Sequence, residues 1–207
     1  MSSSATYSPA EASAVTDLPI RAVRKLIDRR LVRPRRLRTG RTVERRLSRE
    51  QVLYLRLEAK GVQLLPMSAR REIARRIEAD PQADVVFLAE GGAVLIEVKA
   101  AREELEQELE RLERAQSLIG RDPEIMGGTP IYRGTRIPVE LVADMLEQGA
   151  SVEEILEGYP SLDKERIALA QLYVRAFPRR GRPAARPWAK RKPIHTTFHR
   201  TGPARRT

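Results

Sequence analysis

At 207 residues, 41% hydrophobic but only 4% aromatic, the chain can fill one large or two small cores with Leu, Ile, Val and Ala, a composition that favours helical packing. The absence of cysteine excludes disulfides and a thiolate zinc site. With no apolar run of about 18 residues and no apolar stretch near its start, it is expected to be soluble, cytoplasmic and free of membrane contact. The net charge of +11 is unevenly spread. Residues 1–79 carry 19 Lys+Arg against 8 Asp+Glu, residues 80–177 carry 10 against 20, and residues 178–207 carry 10 against none. The first block suits a polyanion such as nucleic acid, and the last suits either nucleic acid or an acidic protein surface.

Ser8-Pro9-Ala10-Glu11 predicts a helix start, because a serine cap, a proline at the first helical position and a capping-box glutamate agree. Ala12, Ala14 and Val15 are its candidate buried residues. Thr16-Asp17 turns the chain, and Pro19 opens a second helix over about Ile20–Arg29, with Ile20, Val23 and Leu26 or Ile27 inward. Its outer face carries Arg21, Arg24, Lys25 and Asp28. After Pro34, RRLRTGRTVERRL predicts a basic hairpin with Thr39-Gly40 at its tip, placing Arg38, Arg41 and Arg45 near a polyanion. A second capping box, Ser48 to Gln51, starts a third helix. Basic amphipathic helices are often only solvated faces. Here order, spacing and charge agree across three helices and a hairpin, so residues 1–79 are expected to form a winged helix-turn-helix that binds DNA.

Tyr7-Ser8-Pro9-Ala10-Glu11-Ala12 and Leu31-Val32-Arg33-Pro34, with Arg46-Leu47-Ser48, resemble the DNA-reading domain of MerR-type regulators. Asp17 departs from that pattern, which commonly has Gly; an Asp tolerates the left-handed conformation such a turn needs. The effector-sensing half of that family is missing.

Ser68–Glu78 predicts a basic helix ended by Asp80-Pro81. Residues 84–89 and 93–98 flank Gly91-Gly92 and predict a β-hairpin. A charged helix then runs from about Lys99 to Ile119. Its seam of Val98, Leu105, Leu109, Leu112 and Ile119 suits packing on the hairpin or a dimer contact equally. Ile125–Val139, IMGGTPIYRGTRIPV, interleaves isoleucines with turn-formers and reads as short extended pieces joined by specified turns. Three short helices follow: one from Pro138, one capped by Ser151 and Glu154, and one capped by Asp163. Glu140, Asp144, Glu147, Glu153, Glu154 and Glu157 are expected on their surface, where they would repel phosphates. This helix-turn-helix-like unit therefore suits protein contact.

Asp122-Pro123-Glu124-Ile125-Met126-Gly127-Gly128-Thr129-Pro130, Arg133-Gly134-Thr135-Arg136-Ile137-Pro138-Val139, and Glu153 through Leu162 closely resemble the domain-of-unknown-function 433 family. The likeness covers roughly residues 118–177. It implies an antitoxin of VapB type that forms a homodimer and binds a PIN-like ribonuclease toxin. Gly127, Gly128, Thr129, Pro130, Gly134, Thr135, Arg136 and Pro138 match its motif, chiefly as shape-givers, with Arg136 expected in a specific contact or a buried ion pair.

The tail from Pro178 has five prolines, no acid and no apolar period, and cannot bury a core of its own. Trp188, the only tryptophan, is a candidate anchor among Arg180, Arg182, Arg186, Lys190 and Arg191, which are the candidate toxin contacts. These cations could occupy a ribonuclease's acidic, magnesium-holding site. Alternatively Arg180-Gly181-Arg182-Pro183 resembles an AT-hook core for the minor groove. His195 and His199 have metal-compatible spacing but no third ligand.

The expected fold is mainly α with small β: a winged helix-turn-helix (1–79), a hairpin with a linking or dimerisation helix (80–119), a small helical domain (120–177) and an extended basic tail (178–207). No nucleophile, acid–base pair, Walker or Rossmann pattern appears, so neither enzyme activity nor a cofactor or metal is expected. The expected role is an antitoxin that inhibits a PIN-like ribonuclease and represses its own operon at operator DNA. The alternatives are a stand-alone, ligand-sensing MerR-like regulator with an AT-hook-like tail, and an RNA-binding adaptor.

Overall fold

The computed structural model describes residues 5–40, 42–88 and 94–179. Its first helix, α1 (Pro9–Thr16), begins as the local sequence dictates. Ser8 Oγ accepts from Glu11 N at 3.2 Å, and Ser8 N donates to the Glu11 carboxylate at 2.7 Å. Ala12, Ala14 and Val15 are buried, and Asp17 ends the helix in the left-handed region, φ 58°. Helix α2 (Ile20–Asp28) starts after Pro19 and buries Val23, Leu26 and Ile27, while Ile20 is only half-buried. It closes with Leu31 N donating to Leu26 O at 3.0 Å around Arg30, φ 58°, a Schellman-type ending built without glycine.

Strands β1 (Arg35–Thr39) and β2 (Thr42–Arg46) pair antiparallel from Arg35↔Arg46 to Thr39↔Thr42, so a two-residue connection begins at Gly40, φ 61°. Tyr7 and Leu47 exchange backbone hydrogen bonds of 2.9 and 2.7 Å, which stitch the hairpin's base to the entry of α1. Ser48 and Gln51 complete a second capping box, and α3 (Arg49–Ala59) follows.

Helix α4 (Met67–Ala79) is joined to α3 by a buried network. Arg70 donates to both Glu58 oxygens, at 2.9 and 2.7 Å, and the Tyr54 hydroxyl donates to Glu58 Oε1. Strands β3 (Val85–Leu88) and β4 (Val94–Glu97) pair antiparallel and lie on α4, burying Val86 and Leu88 and exposing Val85, Phe87 and Leu95. The Gly91-Gly92 turn lies outside the described residues. Helix α5 (Lys99–Leu118) buries its predicted seam, yet against α1, α3 and α8 (Lys164–Ala176) rather than on the hairpin. With those side chains already covered inside one chain, the seam is not the exposed stripe a dimer contact needs.

The GGTP…GTRIPV stretch forms a corner. Strand β5 (Ile119–Gly120) pairs with β6 (Ile131–Tyr132), and Tyr132 N donates to Ile137 O at 3.1 Å across the turn through Gly134. Helices α6 (Val139–Glu147) and α7 (Val152–Gly158) lead to α8, which packs on α6, α7, α5 and α1. One continuous core runs from Tyr7 and Ala12 through Leu55, Ile77, Leu105 and Leu112 to Ile155, Ile167 and Ala176. The chain is thus mainly helical with small antiparallel two-stranded sheets. Among the described residues no helix is long and apolar enough to cross a membrane.

Candidate nucleic-acid interface

Arg21, Arg24 and Lys25 are all exposed on the outer side of α2, because Val23, Leu26 and Ile27 claim the inner side. The β1–β2 hairpin stands beside this face. Its Arg45 guanidinium lies 3.7 Å from Asp28 at the end of α2, and Gln51 Nε2 donates to Arg33 O at 3.0 Å. Arg46 is held by Glu11 and Glu44, each at 3.2 Å, so the hairpin is tied to α1 as well. Arg38 is exposed and donates to Gly40 O at 3.4 Å, within its own turn. Arg41 lies outside the described residues, as do Arg180, Arg182, Arg186, Trp188, Lys190 and Arg191.

Pairing separates this surface from the rest of the molecule. The side chains of Arg21, Arg24, Lys25, Arg29, Arg30, Arg33, Arg35 and Arg36 have no ion pair among the described residues. Arg38, in the hairpin, also has none; the other described cations without an ion pair are Arg71 on α4, Lys99 on α5, and Arg121, Arg133 and Arg136 around the GGTP…GTRIPV corner. The remaining described cations are matched. Arg56 donates to Asp17 at 2.7 Å and to Glu104 at 2.9 Å, and Lys60 donates to Glu104 at 2.5 Å. Those two donors, Lys60 first, hold the Glu104 carboxyl below the usual range. Arg49 pairs with Glu106, and Arg114 donates to Glu165 at 2.7 Å, which lowers the Glu165 pKa. Arg75 and Arg76 grip Glu72 and lower its pKa to about 2. A cluster of like charges left unmatched costs self-repulsion that an external polyanion relieves.

Of the residues expected to contact DNA, Arg21, Arg24, Lys25 and Arg38 lie on this surface without an ion pair and Arg45 is paired with Asp28; Arg29, Arg30, Arg33, Arg35 and Arg36, which extend the surface, were not among them. Their signal was present, since they continue the same basic run between Lys25 and Arg38. A further link had no local signal. Arg175 in α8 lies 3.7 Å from Asp17, so the turn between α1 and α2 is held from the C-terminal end of the fold.

The motif residues shape the corner. Gly127, Gly128 and Gly134 have φ of 62°, 75° and 78°, and Met126 precedes them at 50°. Thr129 Oγ1 donates to Met126 O and Thr135 Oγ1 to Tyr132 O, each at 2.9 Å; Thr135 Oγ1 also accepts from Ile137 N at 3.1 Å. Pro130 and Pro138 are buried. Arg136 is exposed and unpaired among the described residues, which corrects the expectation of a buried ion pair: the turn points it outward. Arg133, also exposed, donates from Nε to Ser117 O at 2.9 Å. Glu140 needs the opposite correction. Expected on the surface, it is buried where α6 packs on α8, and accepts from Arg179 Nε at 2.6 Å. Beside the corner, Gly120, Asp122, Ile125, Ile131 and Arg133 line an open groove of about 350 Å³. Asp122 is occupied in capping Glu124 N at 2.9 Å. Among the described residues no group of three His, Cys, Asp or Glu is placed to hold a metal ion.

Residues 119–174 match the family described as "Protein of unknown function (DUF433)". The chain is 49% identical over 76 residues to the uncharacterized protein y4eO of Sinorhizobium fredii (strain NBRC 101917 / NGR234), a match covering 37% of this chain and 34% of that protein. It thus spans about a third of the length of the curated relative it matches. Among solved structures it is similar to a DUF433 member protein from Anabaena variabilis ATCC 29413, at 38% identity, 35% of this chain, 71% of that chain and a TM-score of 0.26. It is also similar to Rv2018 from Mycobacterium tuberculosis, at 16% identity, 80% of this chain, 96% of that chain and a TM-score of 0.30.

Proposed function

We propose that this protein is a DNA-binding antitoxin that represses its own operon and inhibits a PIN-like ribonuclease toxin. The observation that supports DNA binding is the concentration, among the described residues, of cations without an ion pair on α2 and the adjoining β1–β2 hairpin. In this reading α1, α2, the hairpin and α3 are a winged helix-turn-helix. Helix α2 enters the major groove with Arg21, Arg24 and Lys25, and the hairpin is a wing tracking the phosphates. A homodimer presents two such heads to an inverted-repeat operator. The antitoxin half rests on the GGTP…GTRIPV motif and its family likeness. The basic tail, Trp188 included, supplies the contact that blocks the ribonuclease.

Two experiments test these halves separately. A promoter fragment is shifted by the full chain and not by an Arg21→Ala/Arg24→Ala/Lys25→Ala variant; equal shifts would remove α2 from the interface. Co-expression with the neighbouring open reading frame restores growth that this frame alone arrests. A neighbour that is harmless alone, or protection that survives deletion of residues 178–207, sinks the inhibition mechanism. A harmless neighbour with DNA binding intact leaves the stand-alone regulator.

A further inference from the structure

We infer that the basic tail, residues 180–207, docks along the acidic outer side of α6 and α7 of its own chain, as a counter-charge that an external polyanion or acidic protein must displace. The charges are complementary: α6 and α7 carry six acids, Glu140, Asp144, Glu147, Glu153, Glu154 and Glu157, and no base, and residues 178–207 hold 10 bases and no acid. The tail also leaves the fold at the right place. Its first cation, Arg179, already has Nε 2.6 Å from Glu140 Oε1, and the Glu140 side chain is only 9% exposed. A carboxylate that deeply buried requires a cation, and the chain leaving α8 supplies it.

From that anchor a track continues. Asp144 and Glu147 follow Glu140 at helical spacings of four and three, on one side of α6. Glu147 and, on α7, Glu157 are exposed and have no cation among the described residues. Both lie in the last turn of their helices, and neither last turn carries a basic residue. Carboxylates at helix C-termini are disfavoured by the macrodipole, so a cation arriving there relieves two repulsions together. Length does not limit the tail: even at the roughly 1.5 Å rise per residue of a helix, residues 180–207 would reach on the order of 40 Å, about three times the length of α6. Tethering holds it near the face at an effective concentration of roughly millimolar order, enough for weak ion pairs to act.

This inference goes beyond the antitoxin reading and does not rest on it, because no toxin or DNA takes part. It makes the acidic face a competitor for the same cations that would engage a partner.

Trp188, the only tryptophan, is the reporter in the full chain. Its fluorescence anisotropy is expected to be high near 0.01 M salt and to fall towards 1 M, as the screening length shrinks from about 30 to about 3 Å. A Glu147→Gln/Glu157→Gln variant, changing only exposed side chains, is expected to start nearer the high-salt value and respond less. Carbodiimide coupling should join Lys190 or Lys192 to acids of α6 or α7 within one chain. Anisotropy indifferent to both salt and the variant overturns the inference. So do cross-links that join two chains, which would mean docking in trans, or that reach only acids outside α6 and α7.

Discussion

Arg175 donates a 2.6 Å hydrogen bond to the carbonyl of Ala14, 161 residues earlier in the chain. That carbonyl lies in the last turn of α1, where no intrahelical donor remains, so the last helix completes the first. Replacing Arg175 with Ala should therefore loosen α8 from α1. The side chain is over half exposed, so the cost is expected to be only about 1 kcal/mol. Thermal unfolding should register a fall of roughly 2–4 °C, and an unchanged midpoint would show that apolar packing alone holds the two helices.

Arg21, Arg24 and Lys25 should matter to binding and hardly to stability, since each is exposed and has no ion pair among the described residues. The triple alanine variant should keep its melting temperature. If each contacts a phosphate, the slope of log K against log salt should flatten by about 0.9 per residue removed. A titration series at several salt concentrations reads the slope directly, and an unaltered slope would rule out phosphate contacts by these three.

Glu58 lies in the opposite situation. Burial works against the Arg70 cation, yet the hydrogen bonds and charge of Glu58 outweigh it and raise the Arg70 pKa; burial, then the bond to Glu58, pushes the Tyr54 phenol up as well. Glu58→Ala strands a buried guanidinium and should cost about 3–5 kcal/mol. Tyr54→Phe removes one donor only and should cost about 1 kcal/mol. Denaturant midpoints for the pair should preserve that order; a reversal would place the weight of the α3–α4 contact on the phenol.

Glu104 gives a pH dependence of known sign. Lys60, then Arg56, hold its carboxyl below the ordinary 4.5, so its stabilisation is complete above that value and fades as pH falls through the lowered one. Glu104→Gln should thus melt earlier than the parent at neutral pH, and the gap should close below about pH 4.5. A gap that persists unchanged in acid would show that Glu104 acts by packing.

Gly134, at φ 78°, has nothing within 4 Å of where a Cβ would stand. Gly134→Ala should therefore cost only the left-handed backbone penalty, about 1–2 kcal/mol. Circular dichroism melts should show the loss without any change in helix content. A neutral substitution would mean the corner can relax its turn.

How far the chain could be read before folding follows from the range of each signal. The capping boxes at Ser8, Ser48 and Ser151 are complete within three residues, and all three form. Asp17 takes the left-handed turn expected of it for the same local reason. The seven-residue spacing of Val98, Leu105, Leu112 and Ile119 identified a buried side of α5 but not what buries it; periodicity names a face, and only the tertiary arrangement names its neighbour. Glu140 is buried for that reason: on its own element it is an acid among acids, and its burial is decided by α8 and by Arg179.

The docking of α8 on α1 also sets an order of events during synthesis. Ala12, Ala14 and Val15 emerge from the ribosome early and meet α2, α3 and α5 on the way, but the last part of the surface that packs on α1 arrives only with residues 164–176. Closing so long a stretch of chain is slow compared with local helix formation. The basic N-terminal third is therefore made first and finished last, and a nascent chain shortened before α8 would carry the positive face on a partly uncovered, aggregation-prone helix pair.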